Sequence, residues 1–432
     1  MSPEFTLCLV TLFLLAGIGA PVALSMIVAA VVYLAVGGRD LSLAGEQILQ
    51  GLYDSFVLLA VPLFIVAANV MNAGTVTERL LEFCVAVVGR FKGGLGHVNV
   101  VANVIFSGMS GSAVADAAAI GKVIIDMMTK DGRYSPGYAA AITAAASTIG
   151  PIIPPSIPMV LYALISDASI GYLFLGGVIP GLLMGLVLMI LNARVARVRA
   201  FPVERPIPLK RLPKVTVRAF PALLMPVILL YGIYGGITTP TEAAALAAAY
   251  ALFLAAGFYR ALSWKSLYAV LSESARATAS IGIVIGGALI FNYIVASENL
   301  PQAMAATLQH MSLSPLAFML MVNAILLFLG CLLDASTIIL VILPLFIPSC
   351  RALGIDLVHF GVVAVVNCMI GLITPPYGVV LFVINAITGI PLRTIIGEIW
   401  PFIGVLVIAL LLMIFFPDIV LWLPERFGYK AI

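Results

Sequence analysis

The chain has 432 residues, of which 63% are apolar and only 9% are charged, and its mean hydropathy is +1.19. Soluble domains do not have this composition, so a soluble enzyme or binding domain is excluded and an all-α polytopic membrane protein is predicted. The formal net charge of +3 is small, and the basic residues are concentrated in one segment.

Long apolar runs begin at the N-terminus. Phe5–Gly19 has no basic segment before it and apolar character resumes at Val22–Val36, so both are expected to be retained membrane structure rather than a secretory signal. Because lipid offers the backbone no hydrogen-bond partner and the runs do not alternate with a period of two, they are predicted to be helices. At about 20 residues per span, roughly ten to thirteen membrane-embedded segments are expected. Further runs are Phe56–Met71, Tyr172–Leu191, Leu223–Gly236, Ala243–Phe258, Leu316–Cys331 and Pro401–Phe416.

Two irregular elements follow in the first half, after an amphipathic stretch at Thr75–His97 that predicts a helix lying along the membrane interface. The small residues of Ser107–Ser112 separate two apolar arms that are each too short to cross the membrane separately, which favours a re-entrant hairpin. Gly150–Pro155 then breaks a second apolar stretch with glycine and three prolines.

The segment 194–218 carries eight of the 22 lysine and arginine residues, opposed only by Glu204. Its prolines exclude one long regular helix, so it is predicted to be a connector between two membrane halves, and the positive-inside rule makes it cytoplasmic. A cytoplasmic loop accounts for the charge without nucleic-acid binding, which is not expected. The basic residues are Arg194, Arg197, Arg199, Arg205, Lys210, Arg211, Lys214 and Arg218.

The second half repeats the pattern 221 positions later, with a tip at Gly330–Thr337 and a break at Gly371–Pro376. A duplicated unit explains these coincidences better than chance does. The two tips also match if the offset is changed by about one residue. The coincidences are Gly150 with Gly371, Pro154 with Pro375, Pro155 with Pro376, Gly176 with Gly397 and Pro180 with Pro401.

Each tip and break is a candidate cation site. A broken helix frees carbonyls and amides that need an ion, a ligand or water inside lipid, and Na⁺ needs oxygen ligands without an anionic cage. One such motif alone would favour close helix packing, whereas four in matched pairs favour a site. The predicted sodium ligands are Ser107, Gly108, Ser110, Ser112, Ser147, Thr148, Gly150 and Pro154 in the first half, and Gly330, Asp334, Gly371 and Thr374 in the second.

The predicted substrate is an anion. The helices that restart after Pro155 and Pro376 point their amide N-termini at the same region, which suits a carboxylate. A charge at the bilayer centre costs about 2.5–3.5 kcal/mol, so Asp116 and Asp334 are functional candidates, although Asp116 also fits a cap or a hydrogen bond within its hairpin. The predicted substrate residues are Asn103, Asp116, Ser156, Tyr162, Ser336, Asn367 and Tyr377; each neutral one alone also fits an interhelical contact.

Four segments together closely resemble the large membrane subunit of tripartite ATP-independent periplasmic (TRAP) transporters, the DctM-like family. The resemblance covers nearly the whole chain, including its length, basic middle segment and repeat spacing. The segments are Ser107–Asp116, Ser147–Ser156, Gly330–Pro344 and Gly371–Tyr377.

The resemblance implies an elevator-type secondary transporter of the bacterial inner membrane, with two inverted repeats and sodium-coupled uptake of an organic acid such as a C4-dicarboxylate or sialic acid. It implies two partners, a small membrane subunit of about four helices, here expected as a separate chain, and a periplasmic substrate-binding protein. Inverted repeats and a cytoplasmic connector would place both termini in the periplasm. No enzymatic activity and no cofactor other than Na⁺ are expected.

The same resemblance divides the chain into scaffold and transport regions. They are 1–96, N-terminal scaffold and arm helix; 97–193, first hairpin and broken helix; 194–218, connector; 219–310, scaffold of the second half; 311–395, second hairpin and broken helix; and 396–432, C-terminal helix.

The sequence lacks the motifs of several other kinds of membrane protein. No GxxxxGK[ST] phosphate loop occurs, which disfavours an ATP-driven pump, and neither aspartate lies in the Gly-x-Gly-Asp context of intramembrane aspartyl proteases. His97, His310 and His359 show no metal-ligand spacing. A stand-alone sodium- or proton-coupled anion symporter of related architecture and a channel with re-entrant loops remain as alternatives.

Overall fold

The chain is helical throughout the residues that a computed structural model describes, which are 2–72, 76–203, 212–235, 237–310 and 313–431. These residues contain no strand, so the all-α prediction is confirmed. The helices are α1 (Pro3–Gly17), α2 (Val22–Val36), α3 (Ser42–Asp54), α4 (Ala60–Asn72), α5 (Val76–Val88), α6 (Gly94–Ser110), α7 (Ala113–Ala119), α8 (Gly121–Thr129), α9 (Pro136–Ser147), α10 (Ile157–Ser166), α11 (Ile170–Val198), α12 (Leu212–Tyr234), α13 (Pro240–Leu252), α14 (Trp264–Ser297), α15 (Leu300–His310), α16 (Pro315–Gly330), α17 (Ala335–Thr337), α18 (Leu343–Ala352), α19 (Leu357–Gly371), α20 (Val379–Thr388), α21 (Leu392–Phe415) and α22 (Asp418–Arg426). Turns of 3₁₀ helix occupy Phe56–Leu59 and Lys130–Gly132, and π-helical turns occupy Phe253–Phe258 and Ile338–Ile342.

Six helices of the described ranges are long and apolar enough to cross a membrane. The segments Ser42–Tyr53 and Phe56–Asn72 form a seventh candidate that bends by 69°. Further apolar helices of 10–17 residues are too short for a simple crossing of about 20 residues, as expected where the chain turns back or restarts within lipid. The six are Ile170–Val198, Leu212–Tyr234, Pro240–Phe258, Trp264–Ser297, Ala335–Ala352 and Leu392–Phe415.

The predicted internal repeat is visible in the helix boundaries. Helices α9 and α19 begin at Pro136 and Leu357, 221 positions apart. In both halves a broken stretch and a ten-residue helix follow, α10 in the first and α20 in the second. A long helix then closes each unit, α11 and α21.

The two repeats run in opposite directions. Helix α9 begins beside the end of α11, where Tyr138 Oη donates to Asn192 Oδ1 at 2.9 Å. Helix α19 begins at the other end of the molecule, where its first residue, Leu357, accepts a hydrogen bond at 2.8 Å from Tyr162 on α10. The units are therefore inverted copies.

Helices α9 and α19 form the centre of the molecule. Every residue from Gly137 to Ser147 and from Val358 to Gly371 is buried. In α9 most of these residues are alanine, which lets the backbones of α6, α8 and α21 approach closely. Both broken stretches are thus held on fully enclosed helices.

Helices extend into both sides of the predicted connector. Helix α11 continues through Arg194 and Arg197 to Val198, and α12 begins at Leu212, so the described irregular part starts only at Arg199. Residues 204–211, with Arg205, Lys210 and Arg211, lie outside the described residues.

The amphipathic arm also differs from its predicted bounds. Helix α5 ends at Val88, and Gly93, with φ of 73°, starts α6, so His97 belongs to the hairpin arm rather than to the amphipathic helix. The apolar face of α5 packs against α6 and α12. Residues 73–75 lie outside the described part of the chain.

Both ends of the described chain lie away from the connector. Tyr429 donates to Asp356 beside the start of α19 at 2.7 Å. Tyr259 donates to the carbonyl of Arg218 at 3.0 Å, which places the start of α14 near the connector and its end at the opposite side. There Glu298 binds Ser2.

We expect the anchoring of α1 to weaken in acid. Glu298 accepts hydrogen bonds from the hydroxyl of Ser2 at 2.6 Å and from Tyr33 at 2.8 Å, and the Ser2 bond above all lowers the pKa of Glu298. A lowered folded-state pKa stabilises above the unfolded value of about 4.3, and this stabilisation is lost as the pH falls through the folded value. The hydrogen-exchange protection of α1 should therefore decrease when the pH is lowered below about 4. At neutral pH, Glu298→Gln should lower it and Glu46→Gln, on an exposed position of α3, should not.

Candidate functional site

The first hairpin tip lies against the first break. Helix α6 ends at Ser110, and Gly111 adopts a left-handed conformation with φ of 64°. A Cβ at Gly111 would lie 2.6 Å from the carbonyl oxygen of Pro155. Only glycine fits this turn, because the position combines a positive φ with backbone contact. Ser112 then caps α7 by accepting from Ala115.

Asp116 joins the same tip and break through its two carboxylate oxygens. The side chain is only 1% exposed, and Ser110 donates its hydroxyl hydrogen to Oδ1. Oδ2 lies 2.1 Å from the position that a Cβ on Gly150 would take. No donor for Oδ2 is present among the described residues. The carboxylate thus packs directly on the glycine of the break.

The first break is completely enclosed. Helix α9 ends at Ser147, whose hydroxyl, like that of Thr148, donates back to a carbonyl of its own helix, at 2.9 Å and 2.7 Å. The hydroxyl oxygens keep lone pairs that can accept. Ser156 caps α10 by accepting from Met159 at 3.2 Å and donates to Pro151. The peptide between Pro154 and Pro155 is cis.

The second tip and break approach each other closely at the backbone of two glycines. A Cβ at Gly371 would lie 2.7 Å from the Cα of Gly330, and both glycines end their helices. Asp334 caps α17 by accepting from the backbone nitrogen of Thr337 at 3.1 Å and from its hydroxyl. Thr374 donates to the carbonyl of Ile370 at 2.7 Å.

All four predicted elements meet around one cavity of about 230 Å³. Its walls come from both tips, both breaks and the middle of α14, which the sequence did not identify. Of the predicted site residues, Ser112, Asp334 and Ser336 line it directly. The lining consists of Gly111, Ser112, Ala113, Val114, Pro151, Ile157, Pro158, Ile281, Asp334, Ala335, Ser336, Met369, Leu372 and Val379.

Several predicted substrate residues lie away from this cavity. Asn103 donates to Asn99, one turn below on α6, and Asn367 donates to Asn323 across to α16 at 2.9 Å. Each of these predicted residues keeps a buried side-chain oxygen without a donor among the described residues. Both contacts pair two buried amides, within α6 in the first half and between α19 and α16 in the second.

The two predicted tyrosines also lie outside the cavity wall. Tyr162 reaches the start of α19, as described above, and Tyr377 is 53% exposed beside Phe382, with ring centroids 5.7 Å apart. Ser107 is buried and donates to Val104 at 2.5 Å. Substrate binding by the two tyrosines and sodium binding by Ser107 stay predictions.

Two helices of the second half, α12 and α14, contact the tips. A Cβ at Gly108 would lie 2.3 Å from Pro226 on α12. Asn292 on α14 donates at 2.8 Å to the carbonyl of Leu340, in the π-helical turn after the second tip. The hairpins are therefore supported from outside their own repeats.

A larger cavity of about 630 Å³ lies elsewhere, at the end away from the connector. It is lined by the starts of α11 and α13 and by Tyr234 and Phe427, and it contains none of the predicted ligands. The smaller cavity is the one that the tips and breaks build.

Comparison with known proteins identifies one family. The sequence profile of the family "Tripartite ATP-independent periplasmic transporter, DctM component" matches residues 9–419. The chain is 41% identical to the sialic acid TRAP transporter large permease protein SiaM of Vibrio cholerae, over 95% of this chain and 96% of that protein. It is 40% identical to the C4-dicarboxylate TRAP transporter large permease protein DctM of Pseudomonas aeruginosa, over 87% and 88%.

A relative from Haemophilus influenzae, the sialic acid TRAP transporter permease protein SiaT, is 37% identical over 94% of this chain but only 66% of its own length. Among solved structures, the YdaH transporter of Alcanivorax borkumensis, described as having an unusual topology, superposes with a TM-score of 0.63 over 86% of this chain and 87% of that one. At 16% identity this likeness concerns the fold alone.

Proposed function

Because this chain belongs to the DctM component family of TRAP transporters, whose large permeases are not enzymes, we propose that it carries an organic acid across the inner membrane in symport with Na⁺. The observation that carries the proposal is the cavity of about 230 Å³ enclosed by two inverted tips and two broken helices. A site at the meeting point of inverted repeats and discontinuous helices suits alternating access.

The cavity suits a carboxylate through backbone rather than side-chain charge. Ile157 and Pro158, in the first turn of α10, and Val379, in the first turn of α20, line it from opposite repeats. A helix N-terminus carries partial positive charge. In these two first turns Pro158 has no N–H, Met159 donates to Ser156 and Val380 donates to Leu372, so the amides of Ile157 and Val379 are the ones that would face an anion. An anion placed between these two helices would be stabilised from both sides.

Two sodium ions would bind beside the anion, one in each half. In the first half the ligands would come from the hydroxyls and carbonyls around Ser107, Ser147 and Gly150. In the second they would come from the carbonyls around Gly330 and Gly371 with Thr374. The burial of these residues and the direct contact of tip with break in each half support this assignment.

The proposed motion is an elevator movement of the two hairpins and broken helices against the rest of the chain. Contacts that would have to change are those of Gly108 with Pro226 and of Asn292 with Leu340. The basic connector would be cytoplasmic by the positive-inside rule. Both ends of the described chain would then face the periplasm, since they lie at the opposite side.

The proposed partners are a small membrane subunit, supplied as a separate chain, and a periplasmic protein that delivers the acid. The SiaT relative is called a permease protein and is longer than this chain, which fits a fusion of both membrane subunits in that protein. The names of the relatives include sialic acid and C4-dicarboxylates, so the substrate is proposed to be a carboxylate of this kind.

We expect liposomes containing this chain, its small subunit and its binding protein to accumulate the acid when an inward sodium gradient is imposed. Omitting sodium or the binding protein should reduce uptake to background. Uptake that ignores both omissions would contradict the proposal, and sodium-independent, non-saturating flux would indicate a channel instead.

Thr374→Ala should raise the sodium concentration needed for half-maximal uptake by about tenfold. Removing one oxygen ligand weakens Na⁺ binding by roughly the free energy of one charge-assisted contact. A sodium titration of uptake measures this. Thr388→Ala is the matched control, since Thr388 also donates to a carbonyl four residues earlier, at 2.6 Å, but lies at the far end of α20. Equal titration curves for the two variants would remove Thr374 from the sodium site.

A further inference from the structure

The cavity between the tips is small. Its volume is about 230 Å³, below the range of about 300–1,000 Å³ that is usual for sites of drug-sized ligands. Sugar acids with an acetamido group and several hydroxyls need a site whose volume is close to that range. The size therefore favours a shorter acid.

The charge of the wall disfavours a dianion. Among the described residues that line the cavity there is no lysine or arginine, and the one ionisable side chain is the acidic Asp334. Its carboxylate already accepts two hydrogen bonds from Thr337. A second substrate carboxylate would thus lie near Asp334 with no lysine or arginine in the wall to pair with it.

The polarity of the wall disfavours a polyol. Ser112 and Ser336 supply the only side-chain hydroxyls among the described lining residues, and Ser112 also caps α7. The rest is largely aliphatic, including Ile281, Met369 and Leu372. Substrate hydroxyls without partners lower affinity, whereas an aliphatic body gains from leaving water.

From size, charge and polarity together we infer that the substrate is a monocarboxylate with a short aliphatic body, for example a branched 2-oxo acid. This inference rests on the proposed function, because it assumes that the cavity is the transport site. The aliphatic body lies against Ile281 of α14 and Met369 of α19, and the carboxylate faces the first turns of the restarting helices.

The test uses the purified complex of this chain with its small subunit and measures its thermal unfolding in NaCl, with KCl as reference. Ligand binding to the folded state raises the unfolding temperature by mass action. We expect 3-methyl-2-oxobutanoate to stabilise the complex at concentrations about tenfold lower than succinate or N-acetylneuraminate. Stronger sodium-dependent stabilisation by either of the latter would overturn the inference and support the proposed function. Stabilisation by none of the three would overturn both.

A pair of variants locates the aliphatic contact. Ile281→Ala should weaken stabilisation by 3-methyl-2-oxobutanoate about tenfold, since it removes apolar contact from the wall. Ile283→Ala, two positions along the same helix and 48% exposed, should leave it unchanged. Equal affinities in both variants would overturn the placement of the substrate body.

Discussion

Gly371→Ala is expected to abolish sodium-driven uptake and to lower the free energy of unfolding by about 3 kcal/mol. The added Cβ would lie 2.7 Å from the Cα and 2.9 Å from the carbonyl carbon of Gly330. Both contacts are with backbone, so no side chain can rotate away to relieve them. Separating the two helix ends would also displace the carbonyls that are proposed to bind the second sodium ion.

The matched control is Gly404→Ala on α21, where an added Cβ would meet no heavy atom within 4 Å. Replacing an unhindered helical glycine by alanine should be neutral or stabilise the helix by about 0.5–1 kcal/mol. Thermal unfolding of both purified variants and uptake in liposomes separate the two effects. If Gly371→Ala transported like the unmodified chain, the close approach of Gly330 would have no functional role.

The broken helices and tips were predictable because each carries a strong local signal. Proline removes a backbone donor and glycine a side chain, and the cost of both depends little on the rest of the fold. The repetition of Gly150 and Pro155 at Gly371 and Pro376 then predicts a duplicated unit, which the boundaries of α9 and α19 confirm. The opposite direction of the two units followed from the family resemblance and not from the repetition itself.

The cavity wall was not fully predictable. Ile281 is an apolar residue in the middle of a 34-residue apolar helix, and nothing in the local sequence distinguishes it from its neighbours. Tyr162 shows the converse problem. It lies six residues beyond Ser156, about 9 Å along the axis of α10, and that distance carries its hydroxyl to Leu357 instead of the cavity. Such placements depend on helix length and rotation.

The helix ends beside the connector were uncertain for another reason. Arginine is a good helix former, so Arg194 and Arg197 do not end α11, which continues to Val198, four residues before Pro202. Charge composition marks a surface segment, whereas the helix ends are set by backbone preferences.

Asp116→Asn is expected to reduce sodium-driven uptake at least about tenfold while changing the free energy of unfolding by no more than about 1 kcal/mol. Asparagine keeps the size of the side chain and an oxygen that can accept from Ser110, so the hairpin tip should remain closed. What it removes is the negative charge on the oxygen that faces Gly150, which has no donor among the described residues.

The outcome distinguishes the two roles that the sequence left open for this carboxylate. If Asp116 only holds the tip by its hydrogen bond with Ser110, Asp116→Asn should transport normally and Ser110→Ala should be the more harmful change. If the charge itself acts on a cation or the substrate in the cycle, Asp116→Asn should be the more harmful and should alter the sodium dependence of the residual uptake. Asp126→Asn, at an exposed position of α8, is the control and should be neutral. The burial of an acidic side chain whose Oδ2 has no donor among the described residues favours the second outcome, because a side chain needed only to accept a hydrogen bond could be an amide or a hydroxyl at lower cost within a membrane.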